Sequence, residues 1–196
     1  MLKLGVKPKV VTLGTLIKGL CVERNVAESV KSLDEMIRSG HCPDLITYGT
    51  IVNGLCKIGK TSEAIGLVRR MGEYGLQPNS IVYNIVIDHL CKDGLVIGAV
   101  NLLSEMIGKG ILPDSFAYSS LIQAMCKPGK WEDATNFFNE MILNKIKQDV
   151  AIYNSLVYAY SKMGMFSEVQ GVIKAMTGEG VEPDIVTYNA LSCITH

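Results

Sequence analysis

The 196-residue chain is 48% apolar and 19% charged, and its 19 Lys and Arg balance 19 Asp and Glu. That is the composition of a protein with a buried core, and zero net charge leaves any attraction to nucleic acid or membrane to local patches. Gly and Pro make 25 residues, too few for a low-complexity chain, and no apolar run approaches the roughly eighteen residues that span a bilayer. The Lys-bearing segment 1–9 lacks the apolar stretch of a secretory signal.

Along the chain the dominant signal is a period. Cys21, Cys56, Cys91 and Cys126 stand 35 residues apart, and Met1, Met36, Met71, Met106, Met141 and Met176 keep the same step. Pro8, Pro43, Pro78, Pro113 and Pro183 do so too, with Gln148 filling the register once. A period of this length marks an array of stacked supersecondary units. The frame is a segment 1–9 that closes a preceding repeat, repeats at 10–44, 45–79, 80–114, 115–149 and 150–184, and a segment 185–196 that opens a sixth. Both ends fall mid-repeat, so the chain reads as a piece of a longer array.

Each repeat carries two helical patterns. In the second repeat, Ile51, Val52 and Leu55 form the stripe of a helix over 45–57, and Gly59 follows as a stop. Ala64, Leu67, Val68 and Met71 repeat the spacing over 61–73, where Gly75 closes the helix and Pro78 follows. The first-helix stripe recurs as Leu16, Ile17 and Leu20; Val86, Ile87 and Leu90; Leu121, Ile122 and Met125; and Leu156, Val157 and Tyr160. Closing glycines recur at Gly40, Gly75, Gly110 and Gly180, whereas the fourth repeat has Lys145 and is expected to close differently. A lone 35-residue hairpin cannot bury its apolar faces, so neighbours must stack. The expected fold is all-α, a right-handed α-solenoid of antiparallel hairpins, with first helices on an inner surface and second helices on an outer one. The Cys and Met columns, with Ser161 in the Cys register, are expected to pack, as are Tyr48, Tyr83, Tyr118, Tyr153 and Tyr188.

Tetratricopeptide arrays have a similar period, but their Trp, Gly, Tyr and Ala signature is not met. Repeats such as LITYGTIVNGLCKIGKTSEAIGLVRRMGEYGLQPN instead resemble pentatricopeptide repeats of the pure 35-residue class. The resemblance rests on the Thr-Tyr opening, the Leu-Cys-Lys end of the first helix and the Met-x-x-x-Gly-x-x-Pro-Asp/Asn close. The YGT and LCK details are also similar to fertility-restorer-like plant members. It implies sequence-specific binding of single-stranded RNA, one base per repeat, read by the fifth and last residues with RNA running 5′ to 3′ from the N-terminal repeat. It also implies a mitochondrion, or alternatively a chloroplast, as the place of action.

Geometry supports that pairing. A first helix of this length is about 18 Å long, and the antiparallel second helix returns the chain to the same end. The pairs are Gly14 with Asp44, Gly49 with Asn79, Asn84 with Asp114, Ser119 with Asp149 and Asn154 with Asp184, while Asn189 stands in the sixth repeat without its partner. An ionised Asp accepts hydrogen bonds and suits the imino N–H of U or G; Asn suits A or C. A small fifth residue leaves room for a purine, and Asn favours a pyrimidine. The expected preference is 5′-(G)(A)UGU-3′, with brackets on the glycine-bearing repeats. The plainer reading is that these residues cap helices or make turns.

The second residues, Val11, Ile46, Ile81, Phe116, Ala151 and Val186, are apolar beside a polar pair. They either staple the following helix turn or, as the resemblance implies, clamp bases between neighbouring repeats. Lys57, Lys92, Lys127 and Lys162 form a further column, with Val22 in the first repeat; they suit the helix dipole, a row of phosphates, or both. His41, His89 and His196 share no register, and no Cys-x-x-Cys pair occurs, so no metal, cofactor or catalytic site is expected. The rival function is a protein-binding helical scaffold. Ile185, Tyr188, Leu191 and Ile194 lack the second helix that would cover them, so fraying or self-association is expected at this end.

Overall fold

The computed structural model describes residues 10–126 and 130–192, so segment 1–9, Lys127 and Ile194 lie outside the described residues. Those residues fold into eleven helices with no strand among them. In chain order they are α1 (Val10–Val22), α2 (Val26–Arg38), α3 (Leu45–Lys57), α4 (Thr61–Glu73), α5 (Ser80–Lys92) and α6 (Val96–Gly108). Then come α7 (Ser115–Cys126), α8 (Trp131–Leu143), α9 (Val150–Lys162), α10 (Phe166–Gly178) and α11 (Ile185–Ser192). The chain divides into two compact halves, residues 1–89 and 90–196.

The two helices of a repeat bury different amounts of surface, and their sequences show why. In α3, Thr47, Tyr48, Ile51, Val52, Gly54, Leu55 and Cys56 are buried, covering much of the helix circumference. In α4 only Thr61, Ala64, Leu67, Val68 and Met71 are buried, a single stripe of an amphipathic helix whose other face is polar. First helices are therefore sandwiched, and second helices have one wet side. In the N-terminal half α1 pairs with α2 and α3 with α4, while α3 also packs on both α1 and α2. A Cβ on Gly54 would stand 3.2 Å from Cys21 Sγ and 3.4 Å from Val26 Cγ2, so the absent side chain lets α3 approach closely. Arg70 reaches across from α4 to Asp34 of α2 at 3.4 Å.

The C-terminal half repeats the arrangement. There α7 pairs with α8 and α9 with α10, and α9 packs on α7, α8 and α11. The α8–α9 seam is aromatic: the rings of Phe138 and Tyr153 meet edge-on at 5.5 Å, and those of Trp131 and Tyr160 lie 6.0 Å apart. The Met column is core throughout, with Met36, Met71, Met106, Met141 and Met176 all fully buried. Cys56, Cys91, Cys126 and Ser161 are buried as well, and burial pushes the Cys126 thiol up to about 12, which makes it inert at neutral pH. Tyr48, Tyr83, Tyr118 and Tyr153 are buried, and Tyr188 is exposed.

Two expectations are overturned: Tyr188, expected to pack, is exposed, and the fourth repeat does not close differently. The second helix of the fourth repeat closes as the others do, although Lys145 stands where they have glycine. Lys145 takes φ 55°, close to the 72–75° of Gly40, Gly75, Gly110 and Gly180. Its N–H reaches Ile142 O at 2.9 Å and the Ile146 N–H reaches Met141 O at 3.0 Å; Gly75 and Leu76 bond to Gly72 and Met71 in the same way. Those two bonds, together with the burial of Met141, hold lysine in the left-handed region.

Candidate nucleic-acid interface

The last residue of each repeat sits immediately before a first helix, where the leading N–H groups have no partner inside the helix. All five such residues fill that need. Asp44 Oδ1 accepts from the Thr47 N–H at 2.7 Å, Asn79 Oδ1 from Val82 at 3.1 Å, and Asp149 Oδ1 from Ile152 at 3.0 Å. Asp114 Oδ1 accepts from Phe116 and Ala117, both at 3.1 Å, and Asp184 Oδ1 from Val186 at 2.9 Å and Thr187 at 3.0 Å. The capping function is thus present at every position of the column.

Capping leaves chemistry over. Each of these bonds uses Oδ1, so Asp149 and Asp184 keep Oδ2, an acceptor, outside the cap. In Asn79 the cap demands an acceptor, which assigns the amide oxygen to Val82 and leaves the Nδ2 protons as what the residue offers elsewhere. The backbone N–H of Thr187 and the amide of Asn154 hold the Asp184 carboxyl below its ordinary range. The Thr47 hydroxyl and then its N–H do the same for Asp44. Both carboxylates stay ionised well below neutral pH.

Two fifth residues, Asn154 and Gly14, share a cleft with the last residues of their own repeats. Asn154 Nδ2 donates to Asp184 Oδ1 at 3.0 Å across thirty residues of chain. A cleft of about 590 Å³ brings Ala151, Asn154, Asp184, Val186 and Asn189 together with Tyr158. A smaller one of about 240 Å³ gathers Val11, Gly14, Asp44 and Ile46 with Lys18 and Thr47. The two clefts lie at the same register of the first and fifth repeats, and both hold the second, fifth and last residues of one repeat and the second residue of the next. Gly49 has open space where a side chain would stand, with only Val82 Cγ2 within reach at 3.9 Å. Ser119 is buried, and its Oγ has no partner among the described residues. Asn84 is buried on α5 in the N-terminal half, and Asp114 caps α7 in the C-terminal half.

The second residues lie on the surface. Val11 and Ile46 are 79% and 77% exposed, and Ile81, Phe116, Ala151 and Val186 are exposed as well. Each of these apolar side chains is open to solvent at the same register of its repeat. Lys57, Lys92 and Lys162 are exposed in the last turn of α3, α5 and α9. The Lys162 ammonium lies 5.7 Å from the Tyr158 ring centre. Sequence reasoning missed the ninth-register residues Lys18 and Tyr158, and it noted Thr47 and Thr187 only as part of the Thr-Tyr opening, not as neighbours of the last residues. Their columns change residue type from repeat to repeat, so no period marks them.

A family model described as the PPR repeat family matches residues 8–57, 43–92, 78–127 and 148–193, and a PPR repeat model matches 116–146. The chain is similar to the pentatricopeptide repeat protein PPR10 from maize, at 28% identity and a TM-score of 0.81, over 94% of this chain and 26% of that one. The structure of PPR10 with an 18-nucleotide psaJ RNA element matches at 25% identity and a TM-score of 0.71, covering 95% and 26% of the two chains. The PPR domain of Arabidopsis thaliana protein-only RNase P 1, solved with tRNA, shares the fold at 14% identity and a TM-score of 0.75, covering 92% and 95%. The chain spans about a quarter of the length of the maize protein. No curated protein is a significant match to it.

Proposed function

The chain belongs to the pentatricopeptide repeat family, and we propose that it binds single-stranded RNA sequence-specifically, one base per repeat. The observation that carries this reading is the cleft of the fifth repeat, whose lining brings the bonded pair Asn154 and Asp184 together with the exposed second residues Ala151 and Val186. A base entering there meets polar edges at its rim and apolar contact on its faces, as splayed single-stranded bases require. Asp184 offers Oδ2 as an acceptor, and Asn154 offers its second Nδ2 proton as a donor. That donor–acceptor pair matches a carbonyl and the imino N–H of U, and the bulk of Asn154 disfavours a purine.

The other repeats follow the same chemistry. Asn84 with Asp114 selects U. Asp149 offers an acceptor beside the small Ser119, which leaves room for G. Asn79, its oxygen held by the cap, offers a donor to the ring nitrogen of A, and Gly49 leaves space for that purine. Gly14 with Asp44 takes G. The preferred sequence is 5′-(G)(A)UGU-3′, contacted further by Asn189 of the sixth repeat. Val11, Ile46, Ile81, Phe116, Ala151 and Val186 clamp the bases, and Lys57, Lys92, Lys127 and Lys162 contact phosphates. The likeness to fertility-restorer members of the pure 35-residue class favours transcript processing, stability or translation in a mitochondrion.

The test is the affinity of wild-type protein and Asp149→Asn for RNAs that differ only at the fourth base. The wild type should favour G and the variant A, with a swing of about 1–3 kcal/mol, the usual cost of a mismatched contact. Identical rankings of G and A in both proteins would remove Ser119 and Asp149 from the reading.

A further inference from the structure

The third register position is occupied by Thr12, Thr47, Val82, Ala117, Ile152 and Thr187. Thr187 and Ile152 are fully buried, so neither can touch an RNA. Thr187 nonetheless closes a polar circuit with the residues of the fifth repeat. Its Oγ1 accepts from the Asp184 N–H at 3.1 Å and donates to Asn154 Oδ1, while Asn154 Nδ2 donates to Asp184 Oδ1 at 3.0 Å. The circuit consumes the amide oxygen and one amide proton of Asn154. One Nδ2 proton is left, and the ring of bonds fixes the plane in which it points.

The fourth repeat shows the same register without the hydroxyl. There Ile152 replaces threonine, and the fifth residue, Ser119, has a buried Oγ with no partner among the described residues. In the first repeat the hydroxyl is present and the amide is missing. Thr47 Oγ1 stands 3.5 Å from where a Cβ on Gly14 would lie, at ordinary contact distance.

We propose that the third residue of a repeat is a positioning residue for the fifth residue of the repeat before it, with the Thr187 hydroxyl locking the Asn154 amide so that it donates to uracil. The inference rests on the RNA-reading function proposed above. A freed amide can also turn its oxygen outward, where it repels the carbonyls of U and attracts the exocyclic amine of C. Losing one neutral hydrogen bond of this kind corresponds to about a fivefold loss of preference.

The experiment uses the full chain and RNAs that vary only at the fourth or fifth base. Thr187→Val keeps the shape and removes the hydroxyl; it should narrow the preference for U over C at the fifth base about fivefold and leave the fourth base unchanged. Thr187→Ser should restore it. In the fourth repeat, Ser119→Asn should turn the preference towards U, and adding Ile152→Thr should sharpen U over C by a similar factor. An unaltered fifth-base preference in Thr187→Val, an equal loss at both bases, or failure of serine to rescue would overturn the inference. If Thr187→Val does not fold, the fourth-repeat pair decides, and no sharpening by Ile152→Thr overturns it. Asp184→Asn separates the two ideas: if it too leaves the fifth-base ranking unchanged, the RNA-reading function itself is wrong.

Discussion

Asp44, Asn79, Asp149 and Asp184 each cap a helix with one oxygen and, under the function proposed here, keep a second polar atom for a base. One oxygen satisfies a helix N-terminus, and the cap thereby fixes which atom stays outside it. The structural and the recognition readings of these residues are therefore not rivals. Their charge has a measurable consequence. Asp44 and Asp184 have carboxyl groups lowered from 3.8, so their ionised form is favoured by folding. Stability from such groups is fully present above the unfolded value and is lost as pH falls through the folded one. Asn caps a helix about as well as Asp, so Asp44→Asn removes the charge and keeps the cap. Wild type should be the more stable protein at pH 7, and the two melting temperatures should converge below pH 3.8. A gap that persists unchanged into acid would mean that the carboxylate does not contribute through its charge.

At the scale of the helix, Lys145 departs from its register and yields a second test. A left-handed residue other than glycine costs about 1–2 kcal/mol, and the extra freedom of glycine in the unfolded chain returns roughly 0.4–1 kcal/mol of that. Lys145→Gly should therefore stabilise the protein by up to about 1.6 kcal/mol, read as a later denaturation midpoint at unchanged slope. Gly110→Ala, at φ 75°, should move the midpoint the other way. An earlier midpoint for Lys145→Gly would show that contacts of the lysine side chain outweigh the cost of its φ. Most of this level was legible in the sequence, because helix ends and buried stripes follow residue type at fixed spacing. The bounds of α3 and α4 are the 45–57 and 61–73 read from Ile51, Leu55, Leu67 and Met71. What escaped depended on backbone angle or on contact across repeats. Lys145 looked like a break because residue type does not report the φ that neighbouring bonds impose. Thr187 and Ile152 share a register and are both fully buried, and hydrogen bonds of the Thr187 hydroxyl to Asn154 and Asp184 distinguish the two.

For the whole molecule the governing fact is the zero net charge. A nucleic-acid binder without bulk positive charge gains little non-specific affinity, so its phosphate contacts must come from placed cations. The exposed lysines in the last turns of α3, α5 and α9 are spaced as the bases would be, one per repeat. If each neutralises one phosphate, binding to single strands should weaken with salt by a log–log slope of about 0.7 per lysine. Changing Lys57, Lys92 and Lys162 together to Ala should then flatten the slope by about 2 and lower affinity for every sequence alike. The order of preference at the fourth and fifth bases should not change, because Asp149 and Asp184 remain in place. Affinities measured from 50 to 300 mM salt, a range of roughly that used for such slopes, decide the matter. A slope equal to that of the wild type would leave these lysines as partners of the helix dipole alone, and a changed base ranking would make them part of the reading itself.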